Sequence, residues 1–329
     1  MILAGDIGGT KTNLAYFRLT DGKLQPVESA SYPSRDFGSL EEVVSKFLKS
    51  FPAEIGSAAF GVPGPVVNGR TETTNLKWVV DSALVAPLLK LEQVGLINDL
   101  QATAYGALRL DEKDKLVLNQ GTPHQGGTIG VIAAGTGLGE GALVWNGKQY
   151  MAVASEGGHS DFGPRNDVED QILRFFRREF GRVSCERTVS GPGLHNLYRF
   201  FRSLADYPEP AWLAAAIAKG DPSATISQAA TEGKDKVSTL ALDTFVSLYG
   251  AEAGNLALKF LATGGVFVGG GIAPKIAGKL QEGEFMKSFM TKGRYSPLLS
   301  RVPVSVMLND KTALYGAAHY ALMLETGVV

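Results

Sequence analysis

Two stretches of this chain share one layout: a short apolar strand, a turn of glycine and threonine, and a second strand. Residues 2–7 run into Gly8-Gly9-Thr10-Lys11-Thr12 and resume over 14–19. Residues 128–134 run into Gly135-Thr136-Gly137-Leu138-Gly139 and resume over 141–145. A second echo follows in the same order. Asn98-Asp99 precedes Ala104-Tyr105-Gly106-Ala107, and Asn309-Asp310 precedes Leu314-Tyr315-Gly316-Ala317. Two echoes in one order predict two related α/β halves, each with a glycine hairpin and a crossing helix. The hairpin is not a P-loop, because no Gly-Lys-Ser/Thr opens a helix. Its backbone N–H groups can still face a phosphate. The other reading is a plain hairpin turn.

Strand and helix patterns alternate elsewhere. Residues 40–51 carry a helical stripe at Leu40, Val43, Val44, Phe47, Leu48 and Phe51. Residues 55–62 form a strand that runs into the turn-rich Gly61-Val62-Pro63-Gly64-Pro65-Val66. Helices are expected over 85–91, 100–108, 167–180, 237–261 and 311–324, with the stripe of 237–261 a core face. Strands are expected over 266–268 and 302–308, the first ending in Gly269-Gly270-Gly271, which permits close backbone approach by a ligand.

The length of 329 residues suits two domains, expected at 1–109 with 309–329 and at 110–308. A net charge of −1 leaves no electrostatic footprint for nucleic acid or an anionic membrane. Cys185 is the only cysteine, which excludes an intrachain disulfide and a multi-cysteine zinc cage. The opening lacks a basic segment followed by an apolar run, and no apolar stretch is long enough to span a bilayer. A soluble cytoplasmic protein is expected.

Asn98 and Asp99 fall where a strand stops and a helix begins, the place where ligands gather in open α/β sheets. Asp99 reads either as a helix cap or as a general base, since an ordinary Asp titrates near 4. Asn75 either orients a polar ligand or closes a turn. Glu156, His159 and Glu186 form a polar set suited to hydroxyl groups. Cys185 adjoins Glu186 and reads as a small buried hydrophobe or as a thiol beside the pocket of that polar set, open to alkylation.

Asp6-Ile7-Gly8-Gly9-Thr10, Asn98-Asp99, Gly135-Thr136-Gly137-Leu138-Gly139, Glu156-Gly157-Gly158-His159 and Gly269-Gly270-Gly271 occur in this order over nearly the whole chain. In this it resembles the sugar-kinase, actin and Hsp70 superfamily, and within it the bacterial ATP-dependent glucokinases outside the ROK group. The resemblance implies a duplicated, two-lobed, actin-like (ribonuclease H-like) α/β fold with a central cleft. It implies transfer of the γ-phosphoryl group of Mg-ATP to the 6-hydroxyl of glucose, the first step of glycolysis. Asp99 matches the family's catalytic base. Asn75, Asn98, Glu156, His159 and Glu186 match its sugar-binding positions. Asp6, Gly8, Gly9, Thr10, Lys11 and Thr12 match one phosphate loop, with Asp6 reaching Mg²⁺ through water. Gly135, Thr136 and Gly137 match the other, and Gly269, Gly270 and Gly271 lie where the family holds adenosine. ROK proteins place a structural zinc with a His and a cysteine cluster, so a chain with one cysteine is expected to hold no zinc. His159 is then read as a sugar hydrogen-bonder. A homodimer is also implied. Alternatives are a kinase for fructose, mannose or an N-acetylhexosamine, and a non-catalytic sugar sensor. A sugar-sensing regulator would need a DNA-binding segment ahead of the first strand, which here starts at Met1. An actin- or Hsp70-like ATPase would have no use for Glu156, His159 and Glu186.

Overall fold

The computed structural model describes residues 1–73, 76 and 78–327. The chain separates into two compact units, Met1–Asp114 with Ala152–Ala154 and everything from Asn309 on, and Lys115–Met151 with Ser155–Leu308. The boundary expected after residue 109 falls after Asp114.

The first unit contains β1 (Ile2–Ile7), β2 (Lys11–Thr20), β3 (Lys23–Pro33), α1 (Leu40–Ser50), β4 (Ser57–Val62), β5 (Arg70–Glu72), β6 (Val79–Asp81), α2 (Ser82–Leu89), β7 (Gly95–Asn98) and α3 (Asp99–Ala107). Its main sheet runs β3-β2-β1-β4-β7. β1 is antiparallel to β2 and parallel to β4, which is parallel to β7. β1 and β4 are nearly continuous apolar runs, as strands covered on both faces must be. α1 starts where the Ser39 hydroxyl accepts from the Glu42 N–H, and it buries Leu40, Val43, Val44 and Phe47.

The second unit contains β8 (Lys115–Asn119), β9 (Ile129–Ala134), β10 (Leu138–Trp145), the two ends of β11 (Tyr150–Ser155), whose Ala152–Ala154 group with the first unit, α4 (Asp167–Phe180), α5 (Gly191–Leu204), α6 (Ala211–Lys219), α7 (Pro222–Thr231), α8 (Lys236–Lys259), β12 (Gly265–Gly269), α9 (Ala277–Gln281), α10 (Glu284–Met290), α11 (Ser296–Leu299) and β13 (Val304–Met307). The sheet order is β11-β10-β9-β12-β13-β8. β9 is antiparallel to β10 and parallel to β12, which is parallel to β13. Thus β10-β9-β12-β13 repeats β2-β1-β4-β7 in order and sense, the duplication expected from the echoed turns. α8 carries the core of this unit: Leu242, Phe245, Val246, Tyr249, Ala253 and Leu256 are all buried.

The chain closes with α12 (Thr312–Glu325) in the first unit. The two echoed helices therefore lie in one unit rather than one in each half. A Cβ on Gly106 would stand 1.9 Å from the Thr312 carbonyl oxygen, and one on Gly316 1.7 Å from that of Ala102. The echoed glycines let α3 and α12 touch backbone to backbone. β3 and β11 escape the sequence pattern because β3 is largely exposed, β11 is half-buried, and neither shows apolar alternation. Among the described residues no helix is long and apolar enough to cross a membrane.

Candidate active site

In the first unit the β1–β2 turn is closed by the Gly8 N–H donating to the Lys11 carbonyl at 2.9 Å. Gly9, Thr10 and Lys11 are exposed at its tip. Thr12 lies beneath it: its side chain is fully buried and bonded to the Ser34 hydroxyl at 3.0 Å. Ser34 also donates to the Gly8 carbonyl at 2.7 Å, and its N–H donates to that of Thr10 at 3.0 Å. Ser34 thus braces the whole turn, and no local sequence signal marks it. Asp6, at the end of β1, accepts from the Asn13 amide at 3.3 Å. Burial raises its carboxyl above the ordinary Asp value, against a smaller pull down from Asn13. Asp6 and Asp310 line one cavity of about 160 Å³. Asp310 went unassigned in the sequence, although the repeated Asn-Asp pair marked it.

The cap of α3 is Asn98, not Asp99. The Asn98 Oδ1 accepts from the Leu100 N–H at 2.8 Å, while the Gln101 Oε1 accepts from the Asn98 N–H at 3.2 Å, a complete capping box. The Asn98 amide also donates to the Gly64 carbonyl at 3.1 Å, fixing the helix start to the loop after β4. Asp99 is the first residue of the helix; its carboxylate is exposed and its Oδ1 accepts from the Leu100 N–H at 2.8 Å. Asn75 lies outside the described residues.

In the second unit the β9–β10 turn is closed by the Gly135 N–H donating to the Gly137 carbonyl at 2.8 Å. Glu186 packs on it, its Oε2 accepting from the Leu138 N–H at 3.0 Å. A Cβ on Gly137 would stand 2.5 Å from that oxygen, so the glycine makes room for the carboxylate. His159 Nδ1 is 3.9 Å from Glu186 Oε1. Glu156 opens, and His159 closes, a 3₁₀ turn over Gly157–His159. Two short turns thus bring His159 and Glu186 together, with Glu156 at the head of the first turn.

Above the Gly135 turn is a cavity of about 470 Å³, which Gly135, Thr136 and Gly271 line together. Helix starts supply much of the rest: Gly191 and Pro192 of α5, and Asp221, Pro222 and Ser223 at the head of α7. The Gly191 N–H donates to the Gly135 carbonyl at 2.8 Å. Both helix starts are already capped: the Asp221 carboxylate accepts from the Ser223 and Ala224 N–H groups, and the Ser190 hydroxyl from that of Gly193. Gly269 and Gly270 do not line it. Gly269 packs on Met307, and Gly270, at φ +80°, sits where a Cβ would strike the Ala134 carbonyl. Tyr249 holds both rims, accepting from the Ala134 N–H at 3.2 Å and donating to the Gly269 carbonyl at 3.0 Å. The sequence pointed to the glycine loops but not to Asp221 or Ser223, although Asp221-Pro222 is a helix-start signature.

A profile of the Glucokinase family matches residues 3–324. The chain is 42% identical over 340 aligned positions to a glucokinase of Nostoc sp., covering 98% of this chain and 99% of that one. The chain belongs to the glucokinase family. Among solved structures, a glucokinase from an Antarctic psychrotroph superposes with a TM-score of 0.86 at 32% identity, covering 98% of each chain. A ROK-family glucokinase from Streptomyces griseus, solved with glucose and AMPPNP, superposes at 0.65 with 21% identity over 98% of this chain and 99% of that one, and shares the fold. The expected fold, enzyme class and glucokinase function stand on these matches.

One glucokinase expectation changes. Cys185 is 4% exposed, its thiol donates to Glu252 at 3.4 Å, and burial with that carboxylate pushes it up to about 12. The reading of an alkylatable thiol beside the sugar gives way to a buried hydrogen-bond donor. Among the described residues no cluster of three or more His, Cys, Asp or Glu side chains is placed to hold a metal.

Proposed function

We propose that this glucokinase-family chain phosphorylates the 6-hydroxyl of glucose with Mg-ATP, with Asp99 as the base. The observation that carries the assignment is position: Asp99 opens α3 directly after the strand end of β7, with its carboxylate exposed and Asn98 and Gln101 holding the capping box beside it. Asp99 then accepts the hydroxyl proton as the oxygen bonds to the γ-phosphorus and the bond from that phosphorus to the bridging oxygen breaks, releasing ADP. A positioned base is worth roughly 10²–10⁴-fold. Glu156, His159 and Glu186, with Asn98 and Asn75, orient the sugar hydroxyls. The cavity over Gly135, Thr136 and Gly271 takes the nucleotide, with Gly8 to Lys11 a second phosphate turn.

Mg²⁺ fits Asp6 and Asp310, because both offer hard carboxylate oxygens to one cavity and burial of Asp6 favours a partner of positive charge. Mg²⁺ takes only one or two carboxylates beside water and phosphate, so no larger ligand cluster is required. Bound with ATP, the ion neutralises charge on the phosphate oxygens. The remaining work is positioning by the residues named. A homodimer and a cytoplasmic setting complete the proposal on the family resemblance; a mass of one chain in analytical ultracentrifugation would overturn the first.

The test is a coupled assay of wild type and Asp99→Asn with ATP, Mg²⁺ and glucose, fructose, mannose or N-acetylglucosamine. Glucose is expected to be the best substrate, and the variant to keep glucose affinity while losing turnover by roughly 10²–10⁴-fold. Near-normal turnover by the variant would remove Asp99 from the role, and absence of hexose turnover by wild type would overturn the reaction.

A further inference from the structure

Beneath the candidate sugar turn lies a buried carboxyl that the proposed reaction does not use. Glu140 of β10 is 1% exposed, and its Oε2 is 2.2 Å from where a Cβ on Gly157 would stand. It presses on the backbone of the turn between Glu156 and His159, and only glycine fits at 157. The Oε1 of Glu140 has no hydrogen-bond partner among the described residues. Glu252 of α8 lies near enough for its charge to raise the Glu140 carboxyl. A buried carboxyl with an unpartnered oxygen favours its neutral form. Glu252 already accepts from the Cys185 thiol at 3.4 Å, the Asn255 amide at 2.8 Å and the Lys259 ammonium at 3.0 Å. The proton therefore belongs on Glu140. Burial first, and the Glu252 charge second, push Glu140 up to about 7. The other titratable groups around it are Lys259 and Tyr249 of α8 and Cys185, with Lys292 and Arg165 beyond Glu252. Cys185 carries the contact to the other side of the sugar set, since Glu186 is the next residue.

We propose that Glu140 is a positioning residue for the sugar. Neutral, it seats the Glu156–His159 turn on β10; ionised, it repels Glu252, and the turn loosens its hold. This rests on the sugar-binding reading of that turn.

The test measures glucose Kd by calorimetry, and KM and kcat separately, from about pH 6 to about pH 8.5, the range around a group near neutrality. Wild-type Kd and KM are expected to rise by roughly three- to tenfold across that range, with a smaller change in kcat. Glu140→Gln, which is neutral at every pH, is expected to hold the acid-side values throughout. Glu252→Gln should flatten the profile too, because it removes the charge that an ionised Glu140 would face. A flat wild-type profile, or wild-type slope retained in Glu140→Gln, overturns the proposal; the second result would hand the slope to His159. Should Glu140→Gln not fold, the wild-type and Glu252→Gln profiles decide. Wild type that binds no glucose at any pH overturns the sugar reading itself, a result distinct from glucose binding without the pH effect.

Discussion

At the scale of single residues, the structure redistributes jobs among side chains that the sequence presented as neighbours. The sequence offered Asp99 as a cap, and the backbone gives that place to Asn98: Asn98 has extended geometry and precedes the helix, while Asp99 is already inside it. Cys185 and Glu186 diverge likewise, the thiol turned to Glu252 and the carboxylate to the Leu138 N–H. With its thiol raised to about 12, Cys185 is almost wholly protonated at neutral pH. Labelling by iodoacetamide is expected to be slow in native buffer, indifferent to glucose, and fast only in denaturant; rapid native labelling would contradict the burial. Ser34 is the residue that sequence could not reveal, because its partners Thr12 and Gly8 are 22 and 26 positions away. Ser34→Ala is expected to cost about 1–3 kcal/mol by leaving the Gly8 carbonyl and Thr12 hydroxyl short of a partner. It should also raise KM for ATP more than KM for glucose, and equal effects on both would detach the turn from the nucleotide.

At the scale of elements, glycines decide how closely pieces pack. The glycine in Ala104-Tyr105-Gly106-Ala107 and its echo in Leu314-Tyr315-Gly316-Ala317 read as a sign of duplication, and they are also the two sides of one helix crossing. Gly316→Ala would drive a methyl group into the Ala102 carbonyl, so α12 has to shift. A loss of about 1–3 kcal/mol or more is expected from urea unfolding, and an unchanged midpoint would mean that α3 and α12 can part at little cost. The Gly269-Gly270-Gly271 run divides in the same way. Two of its glycines serve packing, and only Gly271 opens on the cavity. A run of glycines tells the reader that backbone comes close to something, but not whether that is protein or ligand.

At the scale of the whole molecule, two buried groups set opposite slopes of stability with pH. His319 accepts from Arg109 Nε and Nη2 at 3.2 and 2.7 Å, and burial, then the Arg109 charge, lower it to about 4. The unfolded chain protonates His near 6.5, so below that pH unfolding takes up a proton the fold refuses. Stability is therefore lost as pH falls from about 6.5 towards 4. Glu140 works the other way. Its folded form keeps a proton up to about 7 that the unfolded chain releases near 4.5, so its share of stability is lost as pH rises through that window. Urea midpoints of His319→Gln are expected to fall less between pH 6.5 and about pH 4.5 than those of wild type, and an equal fall would place the acid loss elsewhere. By itself the sequence determined the repeated strand–turn–strand plan, the glycine loops, the family and the Asn98-Asp99 junction. Each is a local pattern, or an order of local patterns, and strand and helix periods are visible in a single chain. Only the tertiary structure decided that Glu140 lies under Gly157, that Ser34 braces the first turn and that Asp310 joins Asp6. Those pairings lie far apart along the chain, and what sets them is packing and the need of buried polar groups for partners, which no local pattern records.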